Sequence, residues 1–159
     1  MSTSESKTTQ KIALWPYLVA KNCARAIEFY KQAFGAMEDF RLIEKSGKVG
    51  HAELRVGEAH FMIADEYPDF GALSPASVGG CPVKLHLYVS DADAVVARAI
   101  EAGATIVRPL RNEFYGHRTA MLLDPFGYSW VISSKVEDVT PAEMQARWDE
   151  AMQTQRGAE

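Results

Sequence analysis

The stretch Lys84–Asp91, KLHLYVSD, decides the fold because it joins a strand to the start of a helix. Lys84, His86 and Tyr88 alternate with apolar residues, which is the period of a strand that buries one face. Asp91 can then cap a helix by accepting a hydrogen bond from its first turn. The pattern predicts a sheet that turns one apolar face inward and one polar face toward water.

The same plan occurs earlier in the chain, in Trp15–Asn22, WPYLVAKN, before a helix that ends at Gly35. After each helix, three stretches alternate as strands and are separated by turn residues. The repetition predicts an internal duplication, with modules at residues 12–65 and 82–135. Residues 66–81 between them are rich in Pro, Gly and Ser and are expected to form a linker and a lid. The fold class predicted is α+β, with two tandem βαβββ modules.

The two ends of the chain have different patterns from the modules. Residues 1–11, MSTSESKTTQK, are polar and are expected to be disordered. Residues 136–159 are expected to form a helical tail, because Thr140 and Glu143 have the spacing of a capping box around Pro141. Met144 and Trp148 then fall on one apolar stripe of that helix. This stripe needs an apolar surface to cover it.

Composition excludes several classes of function. A chain of 159 residues with 47% apolar content can bury one core of ordinary size. The net charge of −4 includes no basic stripe, so neither nucleic acid nor a membrane surface is expected as a partner. No signal peptide and no run of membrane-spanning length is present, which predicts a cytoplasmic protein. Cys23 and Cys81 are interpreted as reduced small residues.

Two motifs within this duplication resemble a known family. AIEFYKQAFGA at residues 26–36 and DPFGYSW at residues 124–130 are similar to the glyoxalase/bleomycin-resistance/extradiol-dioxygenase group, the vicinal oxygen chelate superfamily. The resemblance covers residues 12–134. WPYLVA, GHAEL, KLHLYVSD and the TPAEM of the tail look most like its PhnB-like branch.

The resemblance implies that the modules form a cup-shaped mixed sheet with a helix on each outer face. Strand alternation then assigns side chains to the inner, polar face of the cup. The predicted ligand-binding residues are Trp15, Tyr17, His51, Glu53, Lys84, His86, Tyr88, Tyr115, His117 and Arg118. Tyr115 and His117 are expected in a long, mobile loop, residues 112–117. His51 beside Glu53 is the candidate pair for general-base catalysis.

Metal-dependent relatives take four ligands from the first and last strands of each module. The corresponding positions are Trp15, Met62, Lys84 and Val131, of which three cannot bind a divalent ion and the lysine would first have to lose its proton. We therefore expect no cofactor at the family's usual site. A displaced site for zinc, nickel or iron(II) remains an alternative, with His51, Glu53 and His86 as ligands.

The preferred function is binding of a small organic ligand in the cup, as the resemblance to metal-free bleomycin-resistance proteins implies. The first alternative is a metal-dependent lyase, isomerase or dioxygenase of the glyoxalase type with a non-standard metal site. The second is a structural or interaction protein with an empty cup. Relatives are commonly two-fold dimers, so a homodimer is expected. The sequence leaves open whether the cup is built within one chain or shared between two.

Overall fold

The computed structural model describes residues 12–156, so the disorder predicted for residues 1–11 lies outside the described residues. The first module consists of β1 (Tyr17–Ala20), α1 (Cys23–Phe34), β2 (Met37–Ile43), β3 (Val49–Val56) and β4 (Ala59–Asp65). The second consists of β5 (Lys84–Tyr88), α3 (Ala92–Glu101), β6 (Thr105–Asn112), β7 (His117–Leu123) and β8 (Ser129–Lys135). The linker contains a 3₁₀ turn (Pro68–Phe70) and a short helix, α2 (Pro75–Val78), and the tail forms α4 (Pro141–Arg156). The predicted α+β fold of two βαβββ modules and a C-terminal helix is confirmed.

Each module folds into its own four-stranded mixed sheet. The strand orders are β1-β4-β3-β2 and β5-β8-β7-β6, with the first two strands of each list parallel and the others antiparallel. Tyr17 lies opposite Met62 in the first sheet, and His86 lies opposite Val131 at the equivalent place in the second. The strands of residues 12–156 therefore form two separate sheets, related by the predicted duplication, and not one continuous sheet.

The helix caps follow from the sequence. The side chain of Asn22 accepts a hydrogen bond from the backbone N–H of Arg25, and that of Asp91 does the same for Ala94. Gly35 ends α1 with a φ of 67°, a left-handed conformation that costs a glycine little. These contacts fix the residues at which α1 and α3 begin and at which α1 ends.

The second half of the structure differs from the sequence-based expectation at β6. The sequence pattern predicts a strand over residues 105–108. In the structure β6 continues to Asn112, because Pro109 lies at a register shift on an edge strand, where no partner needs its missing N–H. The predicted loop at residues 112–117 is therefore only a tight turn. The backbone N–H of Glu113 donates to the carbonyl of His117 at 2.7 Å, and Gly116 accepts from both Val136 and Glu137. These hydrogen bonds anchor the turn, which is shorter than the long loop that the sequence predicts.

Buried polar contacts join the two modules. The hydroxyl of Tyr30, which is fully buried in α1, donates to Asp124 Oδ2 in the second module at 2.7 Å. Burial raises the pKa of Tyr30 well above its ordinary value, and the charge of Asp124 adds to the shift. Tyr128 accepts from the N–H of Val19 at 2.8 Å and donates to its carbonyl at 2.9 Å. With α1 packed on α3, these contacts set the position of one sheet relative to the other.

The tail helix begins as predicted, because the N–H of Thr140 donates to Glu143 and the N–H of Glu143 donates back to the Thr140 hydroxyl. Arg147 holds the helix to Glu137 and to the carbonyl of Phe114. Trp148 contacts the Phe114 ring but remains 47% exposed. No helix between residues 12 and 156 combines the length and the apolar character that crossing a membrane would require.

Candidate functional site

A hydrogen-bond chain lies on the polar face of the first sheet. The Tyr17 hydroxyl is 2.8 Å from Nδ1 of His51, and Nε2 of His51 is 3.4 Å from Oε1 of Glu53. Tyr17 comes from β1, and His51 and Glu53 come from β3, two strands away in the same sheet. Strand alternation places all three on one face, as predicted.

The hydrogen bonds from Tyr17 through His51 to Glu53 all donate in one direction when the His51 proton is on Nε2. Nε2–H then donates to Glu53, and Nδ1 accepts from the Tyr17 hydroxyl. Partial burial raises the pKa of Tyr17, and the nearby Cys23 thiol raises it further. Tyr17 therefore stays a protonated phenol, and because it is 50% exposed its oxygen can also contact a ligand. The arrangement can accept or deliver a proton at a solvent-accessible hydroxyl.

The polar face of the second sheet is an aromatic surface. His86 and Tyr88 stack with ring centroids 4.4 Å apart and planes 12° apart. The His117 ring lies 5.8 Å from Tyr88 and 5.7 Å from Tyr115, so the predicted residues of β5 and of the turn after β6 do come together. Tyr88 is 67% exposed and offers a flat face to a ligand.

His86 offers unpaired polar atoms on this surface. Its imidazole makes no hydrogen bond to any other residue between 12 and 156, and the residue is exposed. Burial lowers the pKa of His86, and the neighbouring His117 lowers it further. The neutral imidazole offers one donor and one acceptor.

A cavity of about 410 Å³ lies where the two modules meet. It is lined by Trp15, His60 and Phe61 from the first module and by His86 and Trp130 from the second, among others. Trp15 stacks on His60 at 4.5 Å with planes 9° apart. We call this space the junction cavity. Two of the ten predicted binding residues, Trp15 and His86, line it, together with Leu85 and Leu87 from the opposite face of β5.

His60 was not among the predicted binding residues, although alternation along β4 places it on the polar face. Its register opposite Arg55 and its stack with Trp15 are what bring it to the junction cavity. Nδ1 of His60 is buried and makes no hydrogen bond within the described residues. Pairing between strands was the missing signal, and alternation alone does not supply it.

The predicted position of Arg118 is wrong. Arg118 lies opposite Ser134, whereas Tyr88 lies opposite Ser133, so the two residues are on opposite faces of the second sheet. Its guanidinium binds Asp93 of α3 at 2.7 and 3.0 Å. Arg118 therefore belongs to the helix-facing side and contributes nothing to the polar face. Lys84 lies on the polar face, exposed at the start of β5.

The residues do not fit the metal site that the fold family implies. The chemistry of Trp15, Met62 and Val131 offers no ligand for a divalent ion. In the part of the chain that the structure describes, no three His, Cys, Asp or Glu side chains are grouped closely enough to hold one. The alternative set is divided, because His51 and Glu53 lie on the first sheet and His86 on the second.

The fold and these two faces define a class of protein built from paired βαβββ modules. Residues 11–132 match the family model of the Glyoxalase/Bleomycin resistance protein/Dioxygenase superfamily. An uncharacterized protein of Mycobacterium tuberculosis is 41% identical over 137 residues, which are 84% of this chain and 81% of that protein. The chain belongs to this superfamily.

Solved structures agree with this assignment. The structure of a gene product from Arabidopsis thaliana superposes with a TM-score of 0.63 at 29% identity, covering 78% of this chain and 99% of that one. A PhnB protein from Bacillus cereus superposes with a TM-score of 0.59 at 20% identity, covering 79% and 99%. The second likeness concerns the fold alone.

Proposed function

We propose that this protein binds a small organic ligand without the four-ligand metal site of its metal-dependent relatives. The observation that carries the proposal is the junction cavity, in which Trp15 and His60 of one module face His86 of the other. Its volume of about 410 Å³ is in the range of small-molecule sites. Apolar walls with few polar groups are typical of such sites, since the walls provide affinity and the polar groups fix orientation.

The proposal includes a cytoplasmic homodimer. Its support is a row of large apolar side chains, Met37, Phe40 and Leu42, which lie on the same face of the first sheet as Tyr17 and are 43–61% exposed. An apolar patch of this kind on a sheet face is typical of a surface that another chain covers. The Trp148 side of the tail helix is a second apolar surface with little cover.

A second candidate function is favoured by the chain Tyr17–His51–Glu53. A phenol held by an imidazole that is itself held by a carboxylate is an arrangement suited to proton transfer. It supports an enzyme of the glyoxalase type that moves a proton on its substrate. Glu53→Gln tests this candidate, because it weakens the hold on His51 Nε2 while it keeps the shape of the side chain.

The experiment that tests ligand binding is native mass spectrometry of untagged protein, combined with metal analysis and a thermal-shift screen of a metabolite library. We expect a retained or stabilising organic ligand and no stoichiometric metal. His86→Ala should then weaken binding by roughly 1–3 kcal/mol through the loss of a polar contact. Arg118→Ala is the matched control, since it removes a polar side chain from the opposite face of the same sheet.

Three outcomes would favour a different function or a different binding site. Stoichiometric metal would favour the enzyme. A ligand whose affinity depends on His51 and not on His86 would move the site to the face of the first sheet. A protein that retains nothing and responds to no compound would be a structural or interaction protein.

A further inference from the structure

Five of the thirteen residues that line the junction cavity carry flat rings: Trp15, His60, Phe61, His86 and Trp130. Trp15 is stacked on His60 in the first module. His86 of the second module is stacked on Tyr88, which is not among the residues that line the cavity. Phe61 and Trp130 also line the cavity, and both are more than nine-tenths buried. Rings fixed by stacking and burial lose little freedom when another ring packs against them, so they favour a flat ligand over a flexible one.

The charges at the cavity exclude an anion. Glu58 is the single charged side chain among the described residues that line it, and its exposed carboxylate would repel a ligand acid. The buried part of the wall offers no cation to compensate for the desolvation of a charged group. The ligand that this surface accepts most readily carries no net charge.

Two imidazoles line the cavity, those of His60 and His86. Nδ1 of His60 is buried, whereas His86 is exposed, so His86 is the anchor that a ligand can reach most directly. Its neutral imidazole has no hydrogen-bond partner between residues 12 and 156, so both ring nitrogens can serve a ligand. A group that donates and accepts, such as a hydroxyl, can bind to either nitrogen. An apolar ligand would leave the imidazole without a partner in a partly dry site, which costs affinity.

We propose that the junction cavity binds an uncharged, flat aromatic molecule of two or three rings whose hydroxyl or ring N–H hydrogen-bonds to His86. This inference rests on the proposed function and names the chemical class of its ligand. It assigns Trp15 and Trp130 to stacking and His86 to orientation.

Four probes of similar size test the class by isothermal titration. 2-Naphthol is flat, uncharged and hydroxylated; decahydro-2-naphthol keeps the hydroxyl and loses the flat rings; 2-methylnaphthalene keeps the rings and loses the hydroxyl; 2-naphthoate adds a charge. We expect 2-naphthol to bind most tightly, with each other probe weaker by about tenfold or more. Equal or tighter binding of any of the other three would overturn the corresponding part of the proposal.

Variants then locate the site. His86→Phe keeps the stack on Tyr88 and removes both ring nitrogens, so the dissociation constant for 2-naphthol should rise about tenfold while that for 2-methylnaphthalene stays unchanged. Arg118→Ala should change neither value. If His86→Phe does not fold, Trp15→Leu is the second variant, and it should weaken binding of both flat probes. If neither substitution changes the dissociation constant for 2-naphthol, the site lies elsewhere and the proposal is refuted.

The failure of this inference can be told apart from that of the proposed function. If no probe binds but native mass spectrometry shows a retained non-aromatic or anionic ligand, the chemical class is wrong and the binding function stands. If no probe binds and nothing is retained, both are refuted.

Discussion

Replacing Tyr30 by phenylalanine tests whether the two modules depend on each other for stability. The hydroxyl of Tyr30 in the first module donates to Asp124 Oδ2 in the second at 2.7 Å, and both residues are buried. Asp124 has three other donors: the Trp130 indole N–H at 2.9 Å and the backbone N–H groups of Phe126 and Tyr128 at 2.8 and 3.0 Å. The substitution removes one of four hydrogen bonds and leaves the ring in place.

The expected cost follows from these contacts. A hydrogen bond to a charged group contributes about 1.5–3 kcal/mol, and since Asp124 keeps three donors we expect about 2 kcal/mol. No cavity forms, because the phenylalanine ring can keep the contacts of Tyr30 with Phe61 and Trp130 at 5.4 and 5.5 Å. For a chain of this size, 2 kcal/mol lowers the melting temperature by roughly 4–8 °C.

Urea unfolding, followed by circular dichroism and by tryptophan fluorescence, measures this cost. Tyr67→Phe is the control, because its hydroxyl also donates to a carboxylate, Glu44 at 2.8 Å, but at an exposed site, where the loss should be below about 0.5 kcal/mol. Both probes should show one shared transition in the Tyr30 variant. A cost equal to that of Tyr67→Phe would refute the reasoning, and a transition that separates into two would show that the modules unfold independently.

Three further predictions concern His86, the metal and the assembly. Because burial lowers the pKa of His86 in the folded state, the unfolded chain takes up its proton first as the pH falls below about 6.5. The free energy of unfolding, measured in urea, should therefore decrease as the pH falls from about 7.5 to 5.5. The decrease should be smaller in His86→Phe, which has no imidazole to titrate. Zinc, nickel, manganese or iron(II) should raise the melting temperature no more than a weak surface site would; a large, saturable rise abolished by His86→Ala would contradict this. Sedimentation at micromolar concentration should show a dimer that Phe40→Lys dissociates, and a monomeric parent protein would count against the assembly.

Local patterns in the sequence predicted the modules well because each rule acts over a few residues. The alternation in Lys84–Tyr88 correctly placed His86 and Tyr88 on one face, and the caps Asn22 and Asp91 correctly marked the start of α1 and α3. The end of β6 was predicted four residues too early, since an edge strand tolerates Pro109 at a register shift.

The parts that failed depend on pairing between distant residues. The face on which Arg118 lies is set by its register opposite Ser134, which no pattern around residue 118 reveals. The junction cavity depends on how one module is placed on the other, and contacts such as Tyr30 with Asp124 connect residues 94 positions apart. A sequence can assign His60 and His86 to polar faces but cannot show that both line the same cavity.

The duplication explains why His86 has no hydrogen-bond partner between residues 12 and 156 while its counterpart Tyr17 has one. Tyr17 lies opposite Met62 as His86 lies opposite Val131, so the two polar side chains occupy equivalent positions. On β3, Glu53 lies opposite Met62 and His51 follows on the same face, and together they hold Tyr17.

On β7 the equivalent residues are Met121, opposite Val131, and Thr119, which is fully buried and bonded to Arg108 and Glu113. Neither can hold His86. The second module has no counterpart of Glu53 or His51 at these positions. The equivalent place therefore holds a hydrogen-bonded phenol, Tyr17, in the first module and an imidazole without a partner among residues 12–156, His86, in the second. At this pair of equivalent positions, the imidazole of the second module is therefore the polar group with its hydrogen-bonding capacity unused among residues 12–156.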